Sequence, residues 1–381
     1  MIEREKAISL LSTLVRIPSV NPRIGGGDGE GALAAFLADY LGQLGLSPEV
    51  SEVQPGRPNV LATAPGLPGG RHLLFEAHLD TVPPSSGQAE PFTPRLEGDR
   101  LYGRGACDTK AAIAGMLLAL EEALAAVNRI PTVTVAFTMG EELGHEGARQ
   151  LASGGIRVDG AVIGEPTGLD IIAAHKGVLR WRMRVTGISA HSSAPERGIN
   201  AIGRMAVLIR AIEDRLLPAL AVRRHPVLGP PTLSIGRIAG GTGINVVPDH
   251  CTIDLDRRLL PGESWVDVEE EIQDLVVEAC QELLGGDVQI EAPYQQTPGM
   301  ETAPDHPLVR LTEEAVRRVD GHHPVRGVAY CTDASDLALA GIPCVVLGPG
   351  HIDQAHTAAE YVEIQQVLKA AAIYRELMLV P

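Results

Sequence analysis

The stretch 72-HLLFEAHLDTVP-83 sets the reading of the whole chain. Residues 72–77 are mostly apolar, two chemistry-bearing side chains follow at His78 and Asp80, and Pro83-Pro84 stops the run. A short apolar run bounded by a breaker reads as a buried strand. The pattern returns at 59–63, 133–138 and 161–163. Between these runs lie helical stretches. GEGALAAFLADYLGQLG (29–45) is closed by Gly45, a residue type suited to the left-handed position after a helix. An Ala/Leu helix covers 109–127 and another begins at 147–152. Strands alternating with helices predict an α/β fold, a mostly parallel sheet with helices on both faces. Such sheets build their sites at the carboxyl ends of the strands.

The rest of the chain fits around that unit. At the N-terminus Ile2, Ala7, Leu10, Leu11 and Leu14 recur at helical spacing, without the unbroken apolar stretch of a signal peptide. Residues 180–185 alternate strictly: Trp181, Met183 and Val185 face one way, Arg180, Arg182 and Arg184 the other. That is a strand with one wet or partner-facing side. A helix (199–217), strands at 232–239 and 250–258, a helix (265–284) and a strand (288–292) complete a β-α-β-β-α-β order, that of a ferredoxin-like α+β domain. After 297 the first style resumes, with a helix at 308–319, strands near 328–330 and 344–347, and a helix at 364–377. The expected organisation is a catalytic domain in two parts, 1–176 and 294–381, with a lid or dimerisation domain inserted at 177–293.

The 381 residues favour two domains over one core. Aromatic residues make up only 3%, so the core rests on Ala, Val, Ile and Leu. A formal net charge of −16 argues against nucleic acid and anionic membrane surfaces as partners. No apolar run reaches spanning length. Five cysteines, odd in number and without a C-x-x-C pair, fit a reducing cytoplasm.

Five residues spread over nearly three hundred positions carry the candidate chemistry: His78, Asp108, Glu142, Glu165 and His356. Each lies at, or shortly after, an apolar run or a glycine-rich loop. Singly, each has a plain structural explanation. Asp108 is a good helix N-cap, Glu165 precedes Pro166 in a turn, and the His78-x-Asp80 pair suits a strand end. The Asp80 carboxylate, held against the second nitrogen of the ring, would fix the His78 tautomer. Glu141-Glu142 is harder to explain by packing, because two adjacent acids after a buried strand repel each other without a cation. One can bind metal while the other reaches a bound water. Oxygen and nitrogen donors without thiolates suit zinc, with cobalt or manganese as alternatives.

In combination, AHLDTVP, GRGACDTKAAIAG, GEELGHEGA, GEPT and GPGHIDQAHTAAEYV resemble the M20 family of metal-dependent amidohydrolases and peptidases over essentially the whole chain. The ending resembles the acetylornithine deacetylase and succinyl-diaminopimelate desuccinylase branch. The resemblance implies that Asp108 bridges two metals, one completed by His78 and Glu165 and the other by Glu142 and His356. It makes Glu141 the general base and Asp80 the orienting carboxylate. AHSSAPERGINAI implies that His191 stabilises an oxyanion, often across a dimer interface. GTGINVVPD and DRRLLPG imply that Asn245 and Arg258 hold a substrate carboxylate. Cys331-Thr332-Asp333 departs from the family's Gly-Thr-Asp but leaves Thr332 available to substrate, and Gly348 and Gly350 shape the adjoining loop. It also implies a cis peptide bond between Asp108 and Thr109. For these lid residues the structural alternatives remain open: Arg258 can pair with Asp256 or Glu263, Asn245 can end a strand, and His191 can cap the turn at Ser192-Ser193.

These features lead to the expectation of a cytoplasmic, homodimeric two-metal hydrolase of N-acyl amino acids. An M20 dipeptidase or carboxypeptidase is the alternative, and a non-catalytic binding protein on the same fold a distant one. A cysteine hydrolase is disfavoured because no Cys-His pair is evident.

Overall fold

The computed structural model describes residues 2–126, 131–280 and 287–379. The ends of two expected helices, at 127 and 281–284, lie outside the described residues. The chain divides into two compact units. One comprises Met1–Ala173, Glu301–Arg326 and Thr332–Pro381, and the other Ala174–Met300 with Gly327–Cys331. These limits differ from 176/177 and 293/294 for a physical reason. The strand Gln295–Thr297 pairs antiparallel with Gly177–Thr186, which carries the second unit past 293. The strand expected near 328–330 lies instead at Val325–Val328, and the Lys176 amide donates to the Val328 carbonyl at 3.1 Å.

Four strands form the parallel centre of the first unit's sheet, in the order Thr132–Thr138, His72–His78, Gly160–Ile163, Cys344–Val346. All are buried, as parallel strands covered on both faces must be. Being parallel, they end on the same edge. Outside Thr132–Thr138 the sheet turns antiparallel, through Arg57–Ala64 and then Glu49–Gln54.

Helices Arg4–Arg16, Lys110–Ala126, Pro307–Asp320 and Ile364–Leu379 pack together over the sheet. Their contacts are Ala and Leu side chains, with Tyr374 edge-on to Phe75 at 5.9 Å and its hydroxyl donating to the Leu347 carbonyl at 2.6 Å. Helices Glu146–Ser153 and Ala334–Leu339 pack against each other apart from that cluster. Gly45 follows its helix with φ of 82°, the left-handed cap that sequence called for.

The second unit orders its strands Thr232–Gly240, His250–Leu259, Gly177–Thr186, Val288–Ile290. The described pairings among them are antiparallel, and helices at Ala201–Ala211 and Trp265–Cys280 supply the α elements. This is the ferredoxin-like arrangement. Trp181, Met183 and Val185 point into its core.

The three arginines opposite them are engaged rather than waiting for a partner. Arg180 and Arg182 sit in register across from Asp256 and Asp254 and bond to them at 2.6 and 2.7 Å, and Arg184 reaches Glu291 at 3.2 Å. The expected 199–217 helix also differs. It widens into a π turn at Ile212–Leu216 and resumes at Leu217–Val222. Pro218 explains this, since proline lacks the N–H that would close the turn and its ring crowds the carbonyl four residues back.

Candidate active site

The parallel strands deliver the chemistry. His78 is the last residue of its strand, Glu141 and Glu142 follow Thr138, Glu165 follows Ile163, and Gly348 follows Val346. Asp108 comes from the loop ahead of helix Lys110–Ala126, and its bond to Thr109 is cis. His356 sits in a turn near the C-terminus with φ of 60°.

Asp108 stands between two groups of ligands. Its Oδ1 lies 3.0 Å from His78 Nε2, which is itself 3.7 Å from Glu165 Oε1. Its Oδ2 lies 3.2 Å from His356 Nε2, which is 3.0 Å from Glu142 Oε1. Each trio, His78–Asp108–Glu165 and Asp108–Glu142–His356, places one donor atom per residue within 4.8 Å of the others.

The electrostatics ask for cations. Burial, reinforced by neighbouring carboxylates, pushes Glu165, Glu141 and Glu142 above the usual carboxylate range. Burial would also penalise the Asp108 anion, but bonds to His356 and His78 hold its carboxyl low. Bonds to Asp108 and Glu142 in turn raise His356 to about 10. Among the described residues no lysine or arginine pairs with any of these four acids. Two trios of N and O donors sharing one carboxylate fit a pair of divalent ions.

Asp80 does more than face His78. The Nδ1 of His78 lies 2.9 Å from the Asp80 backbone carbonyl and 3.5 Å from the Asp80 carboxylate. The carboxylate also accepts the backbone amides of Gly140 and Glu141 at 3.0 Å and Glu142 at 3.1 Å, and the Asn21 side chain at 2.8 Å. Burial works against its ionisation, but bonding to His78, Asn21 and the loop keeps it ionised. Asp80 thus anchors the loop that carries both acids. The His-x-Asp spacing concealed this, because the amides that Asp80 accepts lie 60 to 62 residues away in the chain.

Other expected residues divide clearly. Thr332 is buried, and its hydroxyl accepts the Ala334 amide at 3.2 Å, at the start of helix Ala334–Leu339. Gly348 and Gly350 are required by the backbone. A Cβ on Gly348 would stand 2.5 Å from the Glu165 carbonyl, and one on Gly350 2.4 Å from Cys107 Sγ, with φ at 87°.

In the second unit His191 is exposed, its Nδ1 2.7 Å from Ser193 Oγ. Asn245 lies beside it, its carbonyl accepting the Ser192 amide at 3.0 Å. Arg258 pairs with Asp256 at 3.2 Å, one of the structural alternatives weighed from sequence.

Sequence reasoning missed two groups. Glu360 is buried and accepts the amides of Cys107 and Asp108 while pairing with buried Arg104. A second buried cluster sets His145 Nδ1 2.9 Å from Asp333 and 3.6 Å from Asp336, with Arg149 on Asp336. The Thr138 hydroxyl links this cluster, through Asp333, to Glu76. Glu360 lies within the quoted GPGHIDQAHTAAEYV stretch, and an acid so close to the His356 candidate was the available signal.

The model of peptidase family M20/M25/M40 matches residues 74–380, which hold all five ligand candidates. The chain belongs to that family. As a member it is a hydrolytic enzyme. It is 35% identical to an acetylornithine deacetylase of Proteus mirabilis over 94% of this chain and 92% of that one. It is 34% identical to an acetylornithine deacetylase of Photorhabdus laumondii over 97% and 96%. Its fold is similar to aminopeptidase PepT of Bacillus cereus (TM-score 0.82, 23% identity, 99% and 98% coverage). It is also similar in fold to a dinuclear metal-binding M20 peptidase of Bacillus subtilis (TM-score 0.72, 19% identity, 98% and 97% coverage). Among the described residues no helix is long and apolar enough to cross a membrane.

Proposed function

We propose that this M20 member is a two-metal hydrolase that cleaves the amide bond of N-acyl amino acids. The observation that carries the reading is the division of Asp108, one oxygen toward His78 and Glu165 and the other toward Glu142 and His356. Similarity to acetylornithine deacetylases along nearly the full length supports an acyl amino acid as substrate.

His78, Asp108 and Glu165 would hold one ion and Asp108, Glu142 and His356 the other, zinc by default, with cobalt or manganese also suited. Bound there, such ions would lower the pKa of a water and polarise the scissile carbonyl. Glu141 takes the water's proton at its carboxylate and delivers it to the leaving amine. Asp80 keeps Glu141 and Glu142 in place through their backbone amides. The 177–293 region serves as the lid and dimerisation domain. Within it His191 stabilises the oxyanion, and Asn245 and Arg258 take the substrate carboxylate; Thr332, Gly348 and Gly350 also belong to the substrate-binding set. Cytoplasmic location fits the cysteine pattern.

A dipeptidase activity is the second reading, favoured by likeness of fold to human carnosine dipeptidase 1 (TM-score 0.76, 19% identity, 99% and 96% coverage). The test is a panel of N-acetyl and N-succinyl amino acids beside dipeptides, on protein reconstituted with zinc or cobalt. Turnover of acyl amino acids in preference to dipeptides is expected. The reverse order selects the dipeptidase, and no metal-dependent hydrolysis of either class removes the proposal.

A further inference from the structure

Arg104 and Glu360 form a buried ion pair that touches no proposed ligand side chain, yet it ties together the segments that present two of them. The pair is 1% and 0% exposed at its side chains. Removing two charges from water costs several kcal/mol per ion in real proteins, so such a pair is weak evidence for stability and better evidence for a positional role.

The bonds identify the position being held. Glu360 Oε1 accepts the Cys107 amide at 2.9 Å and the Asp108 amide at 3.1 Å, and its other oxygen accepts Arg104 Nη1. Arg104 Nη2 reaches the Thr357 carbonyl at 3.3 Å, Ser85 Oγ at 3.2 Å and Gln88 Oε1 at 3.3 Å. Ser85 Oγ in turn donates to the His356 carbonyl at 3.2 Å. The Gly103 amide donates to the Glu360 carbonyl at 3.1 Å. Three segments meet here: 85–88, 103–108 and 356–360. The backbones of Asp108 and His356, distant in sequence, are both held by this pair, directly or through one hydroxyl. The His78 side of the site is held otherwise, by the strand and by the Asp80 carbonyl.

We infer that Arg104 and Glu360 are positioning residues that fix Asp108 against His356 and so set the affinity of the Asp108–Glu142–His356 metal position, leaving the His78–Asp108–Glu165 position largely alone. The inference rests on the two-metal reading. Partners behind metal ligands commonly carry 10- to 100-fold in affinity, and here the effect falls mainly on one of two positions.

The test is an equilibrium zinc titration of chelator-stripped protein, by competition with a chromogenic chelator, with far-ultraviolet circular dichroism as a fold check. Wild type should bind two ions per chain. Glu360→Gln retains the size but sets an amide N–H or a neutral carbonyl against Arg104. It should bind the first ion within a few-fold of wild type and the second roughly 10- to 100-fold more weakly. Arg104→Lys keeps the charge and drops the forked bonds to 85–88 and Thr357. It should fall between the two, and it serves as the test if Glu360→Gln does not fold. Two wild-type affinities in the folded variant, or an equal loss at both positions, overturns the inference. A wild type that binds no zinc, or one ion only, overturns the two-metal reading instead.

Discussion

Asp108 and Glu141 carry the account at the scale of single residues. Glu141 accepts no role as a ligand in either trio. Glu141→Gln should therefore keep both ions in the titration and lower kcat about 10²- to 10⁴-fold, the usual contribution of a positioned general base. Parallel loss of metal and turnover would make Glu141 a ligand. Gly350→Ala places a Cβ against Cys107 Sγ at a left-handed backbone position, so thermal unfolding should register a loss of roughly 1–3 kcal/mol; an unchanged melting temperature would contradict the close approach. At this scale the motifs around His78, Asp108, Glu142, Glu165 and His356 were legible in combination, although each residue alone has a plain structural explanation. The duty of Asp80 was not. Its carboxylate binds amides 60 to 62 residues away, a long-range contact that local spacing does not encode.

Among elements, the parallel centre of the sheet was readable because strands buried on both faces are apolar throughout. The outermost strands were harder. Glu49–Gln54 is half exposed with a mixed sequence, and Met300–Glu301 is two residues long, so neither gives a periodic signal. Pro218 was visible in sequence, yet the helix goes on beyond it through a widened turn, an outcome set by packing and not by propensity. The helix Ile364–Leu379 is tied to the strand Cys344–Val346 by the Tyr374 hydroxyl on the Leu347 carbonyl, with both groups buried. Tyr374→Phe strands that carbonyl and should cost about 1–3 kcal/mol, measured by denaturant unfolding of the metal-free protein. No change in the midpoint would show that the bond is replaced by solvent.

For the whole molecule, the two-unit organisation puts the proposed ligands and Glu141 in one unit and His191, Asn245 and Arg258 in the other. If His191 acts from the neighbouring subunit of a dimer, mixing Glu141→Gln chains with His191→Ala chains should restore activity that neither homodimer has. Absence of recovery after proven subunit exchange would confine His191 to its own chain or to no catalytic role. The ferredoxin-like order was legible from the strict alternation at 180–185 and the run of elements after it. The destination of the three arginines was not, because a cross-strand partner such as Asp254 or Asp256 is set by register, and register depends on the folded sheet.

The central claim is that one carboxylate serves two metals, and anomalous scattering from crystals of the zinc-reconstituted protein tests it most directly. Two zinc peaks per chain are expected, one among His78, Asp108 and Glu165 and one among Asp108, Glu142 and His356, each in contact with a different oxygen of Asp108. A single peak at full zinc loading, or zinc bound away from Asp108, would contradict it.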